Sequence, residues 1–135
     1  MAMKYMLDTN IIAYIRNQRP EAVLRHFEKY QPEDLCISVI TMAELEYGIY
    51  RSTRPDQNRQ ALLMLLSRIP IIPFDMEAAR EYGRIRNDLT KKGTLIGAND
   101  LLIAAHACSL GLTLITNNVR EFEQVEGLQL ENWAD

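Results

Sequence analysis

The sequence predicts one three-layer α/β domain, with a mainly parallel sheet between two sets of helices. Two observations carry that expectation. Short apolar runs at 5–7, 35–39, 69–72 and 112–115 alternate with longer segments of helical periodicity, the order of βαβ units. The runs are also continuously apolar, as strands are when helices cover both faces of their sheet. With 135 residues, no internal repeat and no Gly- or Ser-rich linker, residues 1–135 read as a single domain.

Each element follows from its local pattern. The first strand, Tyr5-Met6-Leu7, runs directly into Asp8-Thr9-Asn10. Residues 20–30 put Val23, Phe27 and Tyr30 on one helical face, with Glu21, Arg25 and Glu28 elsewhere. A helix over 41–50 follows the second strand, capped by Ser38 or Thr41 and carrying Glu44 about one turn in. Residues 58–68 form a densely apolar helix through Leu62, Leu63, Leu65 and Leu66. Over 76–92, Ala78, Tyr82, Ile85 and Leu89 recur at helical spacing. A helix over 99–110 runs from a capping Asn99 or Asp100 to Gly111, a natural helix stop. The run at 128–130 is a candidate for a last edge strand.

Composition narrows the function without choosing one. The apolar share of 47% and charged share of 24% are those of an ordinary globular protein. No apolar run reaches the ~18 residues of a membrane span, and the start of the chain lacks a signal-peptide pattern, so the cytoplasm is the expected location. Cys36 and Cys108 lie inside apolar segments and read as buried free thiols, not as a disulfide or a zinc site. A net charge of −3 counts against a broad phosphate-tracking surface. It leaves a nuclease open, because carboxylates that hold a cation concentrate negative charge.

Three acids stand out by position. Asp8 ends the first strand, Glu44 follows the second, and Asp100 opens the helix Leu101-Leu102-Ile103-Ala104-Ala105. Singly, each has an ordinary reading: a turn or cap residue, a solvated helix residue (Glu46 fits that role better), an acid favoured by the helix dipole. Together they are expected at strand-to-helix edges facing one end of a parallel sheet, where open α/β folds place their ligands. Clustered ionised carboxylates repel, so a cation is expected among them. All-oxygen ligands favour Mg2+, with Mn2+ as substitute. His26 and His106 stand alone, and His106 reads as a packed helix residue. Thr9, Asn10, Ser38 and Thr41 are candidate hydrogen-bond donors to the acids, and Thr116-Asn117-Asn118 is either a plain turn or a further polar contribution at the same sheet end.

At these residues the chain resembles the PIN domain, and within it the VapC toxins of bacterial toxin–antitoxin pairs. The matching pieces are Met6-Leu7-Asp8-Thr9-Asn10, Ser38-Val39-Ile40-Thr41-Met42-Ala43-Glu44-Leu45, the stretch from Ile96-Gly97-Ala98-Asn99-Asp100 to His106-Ala107, and Leu114-Ile115-Thr116-Asn117-Asn118-Val119-Arg120-Glu121-Phe122. They span nearly the whole chain in order. The resemblance implies a Mg2+-dependent endoribonuclease in which Asp8 and Asp100 hold the metal and Glu44 completes the acidic set. The PIN pattern commonly has a fourth acid after the Thr of the penultimate strand. Here that place is Asn118, which can orient a water or a ligand but supplies no charge, and whether Glu121 compensates is open. VapC toxins with a similar final block include endonucleases of the initiator tRNA anticodon loop. The resemblance therefore implies a tRNA substrate, hydrolysed by in-line attack with Glu44 positioning or deprotonating the water. It further implies a VapB antitoxin whose tail covers the acids with an Arg or Lys, and a toxin homodimer.

Two surfaces remain. Arg80, Arg84 and Lys91, with Arg86, Lys92 and Arg120 near them, form either a solvated face or a phosphate-contacting rim. Tyr47, Tyr50, Leu62 and Met64 belong either to the core or to a dimer or antitoxin surface. Competing readings are a phosphoacceptor or phosphatase domain using Asp8, and a catalytically inactive binding module. The first is disfavoured by Asn10, where an aspartyl phosphatase has a second Asp; the second is encouraged by Asn118.

Overall fold

The structure is a computed structural model that describes residues 3–17 and 21–133. In chain order the elements are β1 (Tyr5–Leu7), α1 (Thr9–Asn17), α2 (Glu21–Lys29), β2 (Leu35–Ser38), α3 (Val39–Arg51), α4 (Pro55–Leu65), β3 (Ile71–Ile72), α5 (Met76–Lys92), α6 (Ala98–Leu110), β4 (Thr113–Ile115), α7 (Val119–Phe122) and β5 (Gln129–Glu131). A 3-10 turn at Pro32–Asp34 leads into β2.

The sheet order is β3-β2-β1-β4-β5 and every pairing is parallel. Successive strand residues feed opposite cores, the two-residue period of a strand. Leu7, Leu35, Ile37 and Ile115 pack with Ile11, Ile15, Val23, Leu45, Ile49 and Leu62 of α1–α4. Met6, Cys36 and Leu114 pack with Ile85, Leu89, Leu101 and Ala104 of α5 and α6. Three layers follow directly. The chain winds from β1 outward through β2 and β3, then crosses back to begin β4 on the other side of β1. The C-terminal ends of β1 and β4 therefore flank a topological switch point, the crevice where such sheets bind ligands.

The differences from the sequence expectation have local causes. β2 stops at Ser38, not at residue 39, because the Ser38 hydroxyl accepts from the Ile40 N–H at 3.0 Å and starts α3. Thr41 lies inside that helix and caps nothing. The helix expected over 58–68 begins at Pro55, a residue suited to the first helical turn. Neither Asn99 nor Asp100 caps α6; Gly97 holds that position without a side-chain cap. The first helix, α1, was not delimited by pattern, and the expected start of α2 at Pro20 lies outside the described residues. β3 keeps only Ile71–Ile72 of the run expected at 69–72, α4 ends at Leu65 and not at 68, and β4 and α6 shift by a residue at one end and β5 at both. α5 spans Met76–Lys92, capped by Asp75 Oδ1 accepting from the Ala78 N–H at 3.0 Å and ended by Gly93 at φ 72. Among the described residues no helix is long and apolar enough to cross a membrane. Both cysteines are free. Cys36 is fully buried, Cys108 only half-buried, and burial pushes their thiols up to about 12 and about 11, so neither is an activated nucleophile.

Candidate active site

Asp8 leaves the end of β1 as α1 begins and is only 4% exposed. Both of its carboxylate oxygens are engaged. Oδ1 accepts from the Thr9 N–H at 2.8 Å, and Oδ2 accepts from the Thr116 hydroxyl at 2.8 Å. Thr116 directly follows β4, so the bond spans the switch point. Thr116 Oγ1 in turn accepts from the Asn118 N–H at 3.0 Å, which fixes the hydroxyl proton toward Asp8. Burial raises the Asp8 pKa above the usual carboxylate value. The Thr116 and Thr9 hydrogen bonds oppose the rise, and the charges of Glu44 and Glu121 add to it.

Glu44 sits in the second turn of α3 and is held from both sides. Thr9 Oγ1 donates to its Oε1 at 2.5 Å, and Asn99 Nδ2 donates to its Oε2 at 3.2 Å. One residue, Thr9, thus orients two acids, its amide holding Asp8 and its hydroxyl Glu44. Asn99 gives its side chain to Glu44 instead of capping α6, and its neighbour Asp100 enters from the same first turn. The expectation that each acid ends its own βα unit fails for Asp100, because α6 follows α5 with no strand between them. Asp100 reaches the acids because α6 packs on α5 with its first turn beside Glu44, to which Asn99 donates.

The strongest electrostatic signal is at Asp100. Its pKa is pushed up to about 8, first by burial, then by a hydrogen bond shared with Glu121, then by the charges of Asp8, Glu121 and Glu44. Asp8 and Glu44 are thus joined through Thr9, Asn99 brings the first turn of α6 to Glu44, and Asp8, Glu121 and Glu44 lie near enough to Asp100 to raise its pKa. Glu121 comes from α7, one turn beyond Asn118, and its Oε1 is buried without a hydrogen-bond partner among the described residues. Asn118 contributes its backbone N–H. Sequence reasoning left Glu121 open and missed Asn99; the i, i+3 offset from Asn118 on a short helix was the available signal for the former.

A cation fits this donor set. A buried carboxylate oxygen with no partner and an acid whose ionisation is strongly opposed both call for positive charge. Among the described residues no three His, Cys, Asp or Glu side chains form a ready-made metal cage. Mg2+ needs none, since it takes one or two carboxylates and keeps several waters.

Other sequence candidates divide. Thr9 supports the acids directly. Ser38 acts at a distance, capping α3 and hydrogen-bonding His106 Nδ1 at 2.7 Å. His106 is buried, packs edge-on against Phe74 and has its pKa lowered first by burial, which is the packed helix residue expected. Thr41 Oγ1 is buried with no partner among the described residues, so it supports no acid. Asn10 is exposed and turns to Asn117 at 3.5 Å, while Asn117 Nδ2 donates to the Tyr14 hydroxyl at 2.6 Å. On α5, Arg80 pairs with Glu77 and Arg84 with Glu81, each at 2.8 Å, and Lys92 with Asp88 at 3.2 Å. Arg80, Arg84 and Lys92 are thus paired on their own helix, whereas Arg86, Lys91 and Arg120 have no ion pair among the described residues. Leu62 is fully buried core, whereas Tyr47, Tyr50 and Met64 are 66%, 74% and 77% exposed.

The chain matches the family described as PIN domain over residues 5–128. It is 46% identical over 132 residues to the ribonuclease VapC2 of Haemophilus influenzae, covering 98% of this chain and 99% of that protein. It is 40% identical over 132 residues to the tRNA(fMet)-specific endonuclease VapC of Salmonella typhimurium, with 98% and 99% covered. Among solved structures, VapBC2 from Rickettsia felis bound to a DNA fragment from its promoter superposes with a TM-score of 0.90 at 43% identity, covering 97% of this chain and 99% of that one.

Proposed function

Because the chain belongs to the PIN-domain family, and within it to the VapC ribonucleases, we propose that it is a Mg2+-dependent endoribonuclease toxin that cleaves initiator tRNA in its anticodon loop. The observation that supports it most directly is the convergence of Asp100, Asp8, Glu44 and Glu121 at the switch point, with Asp100 held up to about 8. Asp8 and Asp100 would hold the cation, with Mn2+ as substitute, and Glu121 lies against Asp100 to add charge. When bound, the cation supplies Lewis-acid stabilisation of charge growing on the phosphodiester.

The chain's own residues do the rest. Thr116 and Thr9 hold Asp8 in one orientation, so its carboxylate needs little rearrangement when substrate arrives. Thr9 and Asn99 orient Glu44, whose position suits it to align or deprotonate the attacking water. Asn118 acts through its amide on Thr116. Glu121 supports the active-enzyme reading over an inactive module, since it places a further acid one turn beyond Asn118. Phosphoacceptor chemistry on Asp8 is disfavoured because both oxygens are already engaged and the side chain is buried.

A VapB-type antitoxin is the proposed partner, as the Rickettsia felis relative was solved as VapBC2. An antitoxin Arg or Lys entering the acidic site would neutralise it as a cation does. The test is cleavage of an initiator tRNA transcript with mapped ends. Cleavage should require Mg2+ or Mn2+ and disappear with EDTA, with Asp8→Asn and with Asp100→Asn. Cleavage that survives in those variants would sink the proposal.

A further inference from the structure

A groove of about 480 Å3 runs along α3 to the start of α6, lined by Ala43, Glu44, Tyr47, Gly48, Arg51 and Asn99. Its size lies within the ~300–1,000 Å3 of small-ligand sites. Glu44 and Asn99 belong to the acidic site, so the groove is continuous with it. The remaining lining residues have no part in that site, and their chemistry is different.

Tyr47 is an exposed ring, not a core residue. The Arg51 guanidinium carbon stands 5.4 Å from the centre of that ring. Among the described residues Arg51 has no ion-pair partner, in contrast to Arg80 and Arg84. Gly48 lies mid-helix, where glycine is unfavourable, and a Cβ there would meet nothing within 4 Å. The helix thereby leaves open space beside the ring. An exposed aromatic ring, a cation that lies over it without an ion pair among the described residues, and open space next to an acidic site are the parts that single-stranded nucleic acid sites combine.

We infer that this groove seats one unpaired nucleotide of the RNA beside the scissile phosphate, with Tyr47 stacking on its base and Arg51 contacting a phosphate. The inference rests on the ribonuclease reading and deepens it. It also accounts for an acidic protein using RNA: a positioned cation at the groove contacts the backbone, and the substrate is recognised through an unstacked loop base.

The test measures KM and kcat on an initiator tRNA transcript for Tyr47→Ala, Tyr47→Phe and Arg51→Gln. Anisotropy binding of the same transcript, in an Asp100→Asn background, separates binding from cleavage. Tyr47→Ala should raise KM about tenfold, the loss of one base stack, with kcat within about twofold. Tyr47→Phe keeps the ring and should retain the parent KM. Arg51→Gln should raise KM and reduce the salt slope of binding by about 0.7, one phosphate contact. Unchanged KM and slope in an enzyme that cleaves would overturn the subsite alone. A parent protein that binds the transcript through Tyr47 but cleaves no RNA would overturn the activity and keep the subsite. Parent-like RNA binding by Tyr47→Ala, with weakened binding of a VapB-type antitoxin, would assign the groove to protein and overturn the inference.

Discussion

The Thr116 hydroxyl donates to Asp8 Oδ2 at 2.8 Å, joining two residues 108 positions apart across the crevice between β1 and β4. The bond is fully buried and one partner is a carboxylate, so it belongs to the stronger class of hydrogen bonds. Thr116→Val keeps the shape and removes the donor. Its expected cost is about 1.5–3 kcal/mol in urea unfolding, because a buried acid loses a partner. One of the two bonds that hold the Asp8 pKa down is lost with it, so the acid limb of the pH–activity profile should move to higher pH. Thr116→Ser should restore both. A Val variant of parental stability and profile would show that Thr9 alone fixes Asp8.

Asp100 makes the metal-free protein sensitive to pH. Its folded pKa, about 8, stands above the ordinary carboxylate value, so between roughly pH 4 and 8 the folded state binds more protons than the unfolded chain. Stability contributed by the protonated form is full below that window and is lost as pH rises through it. The slope is at most about 1.4 kcal/mol per pH unit for one proton, and partial solvent exposure reduces it. Asp100→Asn removes this proton, and the difference between parent and variant melting curves in EDTA isolates it, since His106 titrates in both. Mg2+ favours the ionised form, so its stabilising effect on the parent should grow toward pH 8. A difference curve flat from pH 4 to 8 would remove Asp100 from the acidic cluster.

Glu121 and Asn118 are separable although they share one short helix. Glu121→Gln removes a charge that raises Asp100 and an oxygen that lacks a partner. Mg2+ affinity should fall about 10- to 100-fold, the usual effect of losing a group that supports metal ligands. Asn118→Ala keeps the backbone N–H that orients Thr116 and should change activity by less than about threefold. Titration of Mg2+ in the cleavage assay distinguishes the two. The reverse order would restore Asn118 as the functional side chain.

Much of this site was legible because its residues sit where local pattern changes. Asp8 marks the end of an apolar strand, Asp100 the start of an apolar helix, and Gly111 at φ 67 ends that helix as composition suggests. Glu44 was harder, since α3 carries a second acid; Glu46 instead pairs with Arg59 at 2.8 Å on the surface. What stayed hidden depends on tertiary contact. Nothing local says that Asn99 prefers Glu44 to capping its own helix, or that Thr116 faces Asp8. The α5–α6 pairing also breaks the strand–helix alternation, so Asp100 arrives by helix packing, a route no periodicity reveals. Leu62 reads as either core or interaction surface because Leu62, Leu63, Met64 and Leu65 follow one another in α4, and only burial shows that Leu62 is core while Leu63 and Met64 are exposed.

Trp133 holds the segment after β5 to the fold. It is fully buried, stacks on Tyr30 at 5.4 Å and on His26 at 5.5 Å, and lies 6.2 Å from the Tyr5 ring. Its indole N–H donates to Glu131 Oε1 at 2.7 Å. The cluster therefore ties the segment after β5 to α2 and β1, and within it His26 Nδ1 is buried with no hydrogen-bond partner among the described residues. Trp133→Ala should cost about 3–5 kcal/mol, the range for truncating a large buried aromatic. Trp133→Phe keeps most of the stacking and loses the hydrogen bond, so its cost should be about 1–2 kcal/mol. Urea unfolding followed by far-UV circular dichroism measures both. A loss under 1 kcal/mol for Trp133→Ala would mean that α2 and β1 hold together without the tail.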